Sequence, residues 1–558
     1  MLPESVAIYL ELTAAGQWLD HPLRSKIQKS EAFLKIWQSP EVLKLRAEIT
    51  AAEFALGDSA ENTIRKLTSG GVAMAFDREH KGVVLIARTE SRVWLDEYLN
   101  RLVGFAKDNA AKSGKDSPVK ERNYRDAKVY QADKAIVASI EEYLIVTNKP
   151  ELGRVIVDRF SDGKPRGLVD VPNFQRMSES RILKSDQADG AQEIAWTYLD
   201  LKMMRDEGIA KELLSGKAKD FAAELILGGI LATLHHTPVV TGSLTLKGQV
   251  AEVQFSSPFE TKWAGEEREY CFGPKGNGQA LPTLNQPEML ASLSTYRDLS
   301  QLWLRAGDLF SERVNDQLAK ADSTLTTLFS GRDFGEEILG AVHPELRIVV
   351  AHQEFSPDHP TPAIRLPGFA IVAQLRDPEL MKGELRRAFQ SLIGFANITG
   401  AMDGRPQLDL SMENNGNLQV ISAEYVPEVD RKVKHDAPIH FNFSPSIAFV
   451  DQTVIVSSTI PLAKELAKKV QENGFAKTSV ALGTNTHLEI DFKSLYQLLD
   501  DNRSQLISQN ILKKGQTKIE AESEFQMLLS IIALIHSAQA KLDFSERASL
   551  NANLRFVE

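Results

Sequence analysis

Within eight positions the chain places His352, Glu354, Asp358 and His359, residue types that could hold a metal ion or supply a general base. Such chemistry needs imidazole and carboxylate donors that converge on one point. His352 and Glu354 are two apart on an expected strand and so share a face, and the turn Ser356-Pro357-Asp358-His359-Pro360 would bring back two more donors. Converged, the four would suit a metal-dependent hydrolase. Against this, no His-Glu-x-x-His helical spacing is present and the sequence around His80 has no equivalent cluster. A polar hairpin end is the favoured reading, with no metal or cofactor assigned.

The remaining reactive residues read more simply. His235-His236 closes an apolar run where an imidazolium would meet terminal helix carbonyls, and adjacent helical residues do not form a two-ligand face. His536 reads as a core histidine within the matching apolar helix of the second half. Ser117 and Lys120 match a bare Ser-x-x-Lys spacing in a mixed-charge stretch, and no Gly-x-Ser-x-Gly elbow occurs. Cys271 has no nearby histidine to lower its pKa. Gly273-Pro274-Lys275-Gly276-Asn277-Gly278 lacks the flanking strand and helix of a phosphate loop, and Glu266-Glu267-Arg268-Glu269 reads as solvated surface. Asp200 with Lys202, and Asp491 with Lys493, place opposite charges on one expected strand face. Their occurrence in both halves suits a structural role.

These residues must be positioned by a chain of 558 residues, long enough for more than one domain. Hydrophobic residues make up 43% and charged residues 25%, ordinary values for a folded globular protein. The net charge of −10 opposes binding to phosphate backbones, so nucleic acid is excluded as a partner. One cysteine excludes an intrachain disulfide and a thiolate zinc site. The apolar runs Phe221 to Leu234 and Phe525 to Ile535 are shorter than a membrane span and read as core helices. Met1-Leu2-Pro3-Glu4-Ser5 has no secretory pattern and Val6 to Leu12 reads as a strand. The compartment is cytoplasmic as written, or periplasmic or envelope if an export leader has been removed.

Self-comparison gives the organisation. Gln17-Trp18-Leu19 parallels Leu302-Trp303-Leu304, Gly71 to Ala75 parallels Arg347 to Ala351, and Gly82 to Ala87 parallels Gly368 to Ala373. Ala135 to Thr147 with Pro150 parallels Ser446 to Ser458 with Pro461, each a strand, turn, strand and helix. Val253 and Phe255 match Leu554 and Phe556, at an offset of about 275 to 310 residues. The expected fold is α+β: a tandem duplication of two similar domains, each a mainly antiparallel sheet packed with helices. Residues 1–255 form the first repeat, 256–289 a Gly/Pro-containing linker, and 290–558 the second. An inserted β-hairpin is expected near 407–425, where alternating residues flank Asn414-Asn415-Gly416-Asn417. The first half has instead a mobile loop at Lys107 to Lys128. Ser39 and Pro40 start a helix whose apolar face is Val42, Leu45, Ile49, Ala52 and Leu56.

A Leu-Pro start running into a strand, the segment Phe329 to Phe334 before a helix, and the strand Leu366 to Val372 followed by Asp377-Pro378 resemble an uncharacterised bacterial family known as a domain of unknown function. The resemblance implies duplicated two-lobe proteins, often envelope-associated, and carries over no catalytic residue. The function expected is a non-catalytic binding or scaffold protein. Its lobes would use their faces, or the cleft between them, to hold an unknown protein or an apolar ligand. The alternatives are the metal-dependent hydrolase at 352–359 and a carrier whose helices around Ile226 and Ile531 line an apolar cavity.

Overall fold

The computed structural model describes the chain apart from residues 14–15, 17–18, 113–118, 133–134, 164–165, 180, 182–189, 264, 285–287, 356–359, 427–436, 474–483, 546 and 558. Its strands are antiparallel throughout, mixed with helices in an α+β arrangement. Two units are formed: Met1–Leu214 with Thr237–Pro258, and Ser215–His236 with Phe259–Val557. Among the described residues, no helix is long and apolar enough to cross a membrane.

Unit 1 begins with β1 (Val6–Leu12), where structure starts as its apolar residues predict. A helix, α1 (Pro40–Leu56), precedes the pair β2 (Val72–Asp77) and β3 (Gly82–Arg88). Then follow α2 (Arg92–Lys112), β4 (Val119–Tyr124), β5 (Ala127–Ala132), β6 (Ala135–Ile140) and β7 (Tyr143–Thr147). The unit closes with α3 (Pro150–Ser161), β8 (Gln192–Asp200), β9 (Val239–Lys247) and β10 (Val250–Pro258). Strand pairing runs β4-β5-β6-β7-β3-β2-β1-β8-β9-β10. The two-residue hairpin between β6 and β7 puts Glu141 at φ 49°, the positive value that tight turns favour. Period-two alternation turns Trp196 and Tyr198 inward, where Phe174 meets both rings edge-on at 5.4 and 5.1 Å.

Unit 2 takes α4 (Phe221–His236) from the first half of the sequence. It continues with β11 (Met289–Tyr296), β12 (Glu345–Ala351), β13 (Gly368–Gln374) and α5 (Pro378–Met402). Next come β14 (Leu408–Asn415), β15 (Leu418–Tyr425), β16 (Ser446–Val450), β17 (Thr453–Ser457) and α6 (Ile460–Asn473). Last are β18 (Thr484–Asp491), α7 (Phe492–Asp501), α8 (Lys518–Ile532), β19 (Ile535–Phe544) and β20 (Arg547–Phe556). Here the pairing runs β14-β15-β16-β17-β13-β12-β11-β18-β19-β20. The α6 helix buries Leu462, Leu466 and Val470 in one core cluster with Val349, Ala370 and Ile455.

Several expectations change on this scaffold. The hairpin at 407–425 is present as β14 and β15, but unit 1 has a hairpin too: α2, β4 and β5 occupy most of the stretch read as a mobile loop. Of its charges, Lys120, Glu121 and Arg122 sit on exposed strand positions, and Lys107, Asp108 and Lys112 lie on the helix. Segment 256–289 is built into unit 2 from Phe259 onward, with Tyr270, Cys271 and Phe272 at most 1% exposed. Gly265, Gly273 and Gly276 take positive φ there, on either side of these buried residues. Asp200 and Asp491 are helix N-caps, accepting from the Met203 and Ser494 amides at 2.9 and 2.8 Å, and their lysines lie in the helices that follow. His536 lies in β19, because α8 stops at Ile532. Ser39 caps α1 through the Val42 amide, yet of the expected apolar face Leu45 and Ile49 stay exposed while Leu56 is buried. Gln17 and Trp18 lie outside the described residues.

The α4 helix is fixed by polar contacts buried inside unit 2. Glu224, wholly buried, accepts from Arg268 Nε and Nη2 at 2.7 and 3.0 Å and from the Tyr270 hydroxyl at 3.0 Å. Arg268 is thus no solvated charge. Arg297, 2% exposed, donates to the carbonyls of Leu225 and Ile226 and to Asn485 Oδ1. Against this seam the helix offers Gly228 and Gly229. A Cβ on Gly229 would stand 2.7 Å from Cys271 Sγ and 3.2 Å from the Phe544 ring. Gly229→Ala is therefore expected to destabilise by about 1 to 3 kcal/mol through overpacking. Gly104→Ala, on the open side of α2 with nothing within 4 Å, should stabilise by about 0.5 to 1 kcal/mol. Urea denaturation followed by circular dichroism reads both values.

Candidate functional site

In unit 1 the strand register assembles a concave wall. Arg122, Val129, Ala138 and Ile145 lie opposite one another across β4, β5, β6 and β7, and Gln131, Ile136 and Thr147 form the next row. Residues paired across an antiparallel sheet share a face. Over this face lies α3, whose Pro150, Gly153, Arg154 and Val157 recur at helical spacing. Between them is a cavity of about 480 Å³. Ala138, Ile145 and Val157, each at most 4% exposed, make an apolar floor.

Local sequence explains why the space exists. Pro150 opens α3 at a position where its missing N–H costs nothing. One turn on, Gly153 contributes no side chain, and a Cβ there would stand 3.2 Å from the Thr147 methyl. The rim is polar. Arg122 donates to Gln131, and the Tyr124 hydroxyl lies 3.1 Å from both Asp158 carboxylate oxygens, which also pair with Arg125 at 2.7 Å. Arg122 and Arg154 put two guanidinium groups at the mouth against the single carboxylate of Glu151.

Chemically, this lining offers dispersion contact and a net positive rim. Among the described residues it includes no histidine, cysteine or serine. The Thr147 hydroxyl donates to the Val83 carbonyl at 2.8 Å and accepts from the Lys149 amide at 3.2 Å, so it is already engaged.

The residues singled out from the sequence are dispersed. β12 ends at Ala351, so His352 and Glu354 follow the strand instead of sharing its face. His352 Nε2 lies 2.9 Å from Asp501 Oδ2, and Arg365 reaches the other oxygen of that carboxylate at 3.3 Å. Glu354 is exposed. Asp358 and His359 lie outside the described residues, as does Ser117. Among the described residues no group of three or more His, Cys, Asp and Glu is placed to hold a metal ion. His235 and His236 end α4 with ring centroids 4.7 Å apart, and Lys120 lies on β4.

Arg122 and Tyr124 fall in Lys107 to Lys128, the stretch expected as a loop, and Gln131 lies just beyond it in a strand that the sequence reading does not assign. A signal was present in the strand formers Val129 and Tyr130 and in Arg125-Asp126, the two-residue turn before them, with Arg125 at φ 50°.

No family model matches the chain, and no curated protein matches it. Among solved structures, crystal forms I and III of TP0453 are similar at 11% and 10% identity. Each match covers 46% of this chain and 76% or 77% of the other, with a TM-score of 0.25. A likeness of that size carries no functional argument.

Cys271 is wholly buried, and burial pushes its thiol above the ordinary range. A thiol so placed is inert. Thiol-reactive dye should leave the native protein unlabelled at pH 8 and label one site per chain in denaturant. Rapid labelling without denaturant would contradict this placement.

Proposed function

We propose that the protein is a non-catalytic binding protein that holds a small amphiphile in the unit 1 cavity, apolar body inward and anionic head at Arg122 and Arg154. The observation that carries this reading is the union of a deeply buried apolar floor with a cationic rim in one cavity of about 480 Å³. Volumes of about 300 to 1,000 Å³ are usual for small-molecule sites, which are mostly apolar with a few placed polar groups. We also infer that the two units are tandem copies. The same order of nine pairings among ten strands in each supports it, as do the paired segments found by self-comparison.

The test uses an environment-sensitive anionic fluorophore with an apolar body, displaced by a medium-chain fatty acid. Ala138→Trp fills the floor and should weaken binding at least tenfold. Arg154→Glu, at an exposed position, should weaken the anionic probe at least fivefold and leave an uncharged analogue unchanged. Equal affinity of the wild type and both variants would sink the proposal.

A further inference from the structure

At the end of the unit 2 pairing order stands β14, and among the described residues it pairs with β15 alone. From Asp409 to Asn415 it is exposed throughout. Its backbone parity can be read from both ends. At the turn, Gly416 at φ 62° and Asn417 make a two-residue hairpin closed by Asn415 and Leu418, so Glu413, Ser411 and Asp409 bond to β15 in alternation. The Val426 amide, donating to the Gln407 carbonyl, continues that alternation. Leu408, Leu410, Met412 and Asn414 therefore turn their N–H and C=O groups outward. At Leu408 both groups are taken by one side chain of α5: Asn397 Oδ1 accepts from the amide at 2.7 Å and Nδ2 donates to the carbonyl at 2.9 Å. Among the described residues, the outward groups of Leu410, Met412 and Asn414 meet no partner.

Folded proteins usually protect such an edge with proline, lysine or a bulge. β14 has none of these, and its eight residues pair with β15 in unbroken register. The two sides of the strand differ in chemistry. Leu408, Leu410 and Met412 share one side by their period of two. Leu408 joins Ala388, Phe389 and Ile393 of α5 in a core cluster, so α5 lies on that side, while Leu410 and Met412 stay exposed. Asp409, Ser411 and Glu413 share the other side. Lys464 meets Glu413 at 2.8 Å, and Asp409 has no ion-pair partner among the described residues. Arg405, before the strand, is itself paired with Asp403 at 2.9 Å.

We propose that β14 is a docking edge, to which a partner protein adds an extended segment as one further strand. Main-chain bonds to Leu410, Met412 and Asn414 supply affinity and register, as strand addition generally does. The two sides specify the occupant: a segment that alternates apolar with cationic residues, the apolar ones beside Leu410 and Met412 and the cationic ones beside Asp409 and Glu413. A second copy of β14 fits less well, because it brings carboxylates to carboxylates and carries no cation of its own. The docking edge and the unit 1 cavity are independent proposals.

The probe is a fluorescent synthetic peptide, Val-Lys-Val-Arg-Val-Lys-Val, titrated against the full-length protein by anisotropy. N-methylation of one alternating set of its amides should cost tenfold or more in affinity, and of the other set less than threefold, because only one set faces β14. Replacing its three cations by glutamate should also cost tenfold or more. Met412→Pro removes an outward N–H that the ladder with β15 does not use, so it should leave the circular dichroism spectrum intact and abolish peptide binding. Ala138→Trp in unit 1 should leave the affinity unchanged. No binding at millimolar peptide, or equal weakening by both methylated sets, would overturn the assignment. So would a wild-type dimer in sedimentation velocity that Met412→Pro dissociates, since the edge would then belong to a second copy. The peptide comparison uses the unaltered chain and decides the matter even where Met412→Pro fails to fold.

Discussion

A strand can turn only every second side chain to a given face of its sheet, and both units are built around that constraint. In unit 1 it collects Arg122, Val129, Ala138 and Ile145 into one row from four strands, though none is near another in sequence except through the turns. A one-residue slip of β5 would replace Val129 by a neighbour from the opposite face and remove the cavity wall. Register is held by short connections such as Arg125-Asp126 and Glu141-Glu142, whose positive φ values match the strand twist. The geometry of the unit 1 cavity is thus a consequence of turn chemistry several residues away from its floor.

The two units use buried polarity differently. In unit 2 the carboxylate of Glu224 and the guanidinium groups of Arg268 and Arg297 lie inside the protein, each meeting charged or carbonyl partners. Removing one partner from such a set leaves an uncompensated buried charge, which is why this seam specifies one placement of α4. At the unit 1 cavity, by contrast, Arg122 and Arg154 are at exposed positions beside the apolar floor. That division separates groups that hold the fold from groups that face a ligand.

Much of the scaffold was legible from residue order. The apolar pairs β2 with β3 and β16 with β17 announce themselves as apolar runs repeated in both halves, and Asn414-Asn415-Gly416-Asn417 marks the turn of β14 and β15. What failed was local pattern with two physical explanations. Lys120, Glu121 and Arg122 look like loop charges, yet they occupy an exposed strand. Asp200 and Asp491 look like strand charges, but the chain turns into a helix at each, and the carboxylate satisfies the first free amides. Prolines and glycines in 256–289 signal breaks in regular structure, and breaks occur in buried aromatic loops as readily as in tethers. The unit 1 cavity was not visible, because it is assembled by residues that are unremarkable one at a time: Gly153 in a helix, Ala138 in a strand.

The helix Phe221–His236 is synthesised with the first half of the chain but is packed by the second. Tyr270 and Cys271, which touch its two glycines, follow soon after it, whereas Phe544 leaves the ribosome roughly three hundred residues later. At the usual elongation rates of about 5 to 20 residues per second, this apolar segment waits on the order of tens of seconds for its last partner. Cotranslational folding therefore cannot be strictly sequential here: a nascent chain can form β1 to β7 early, while the seam that holds α4 is sealed only when Phe544 has emerged.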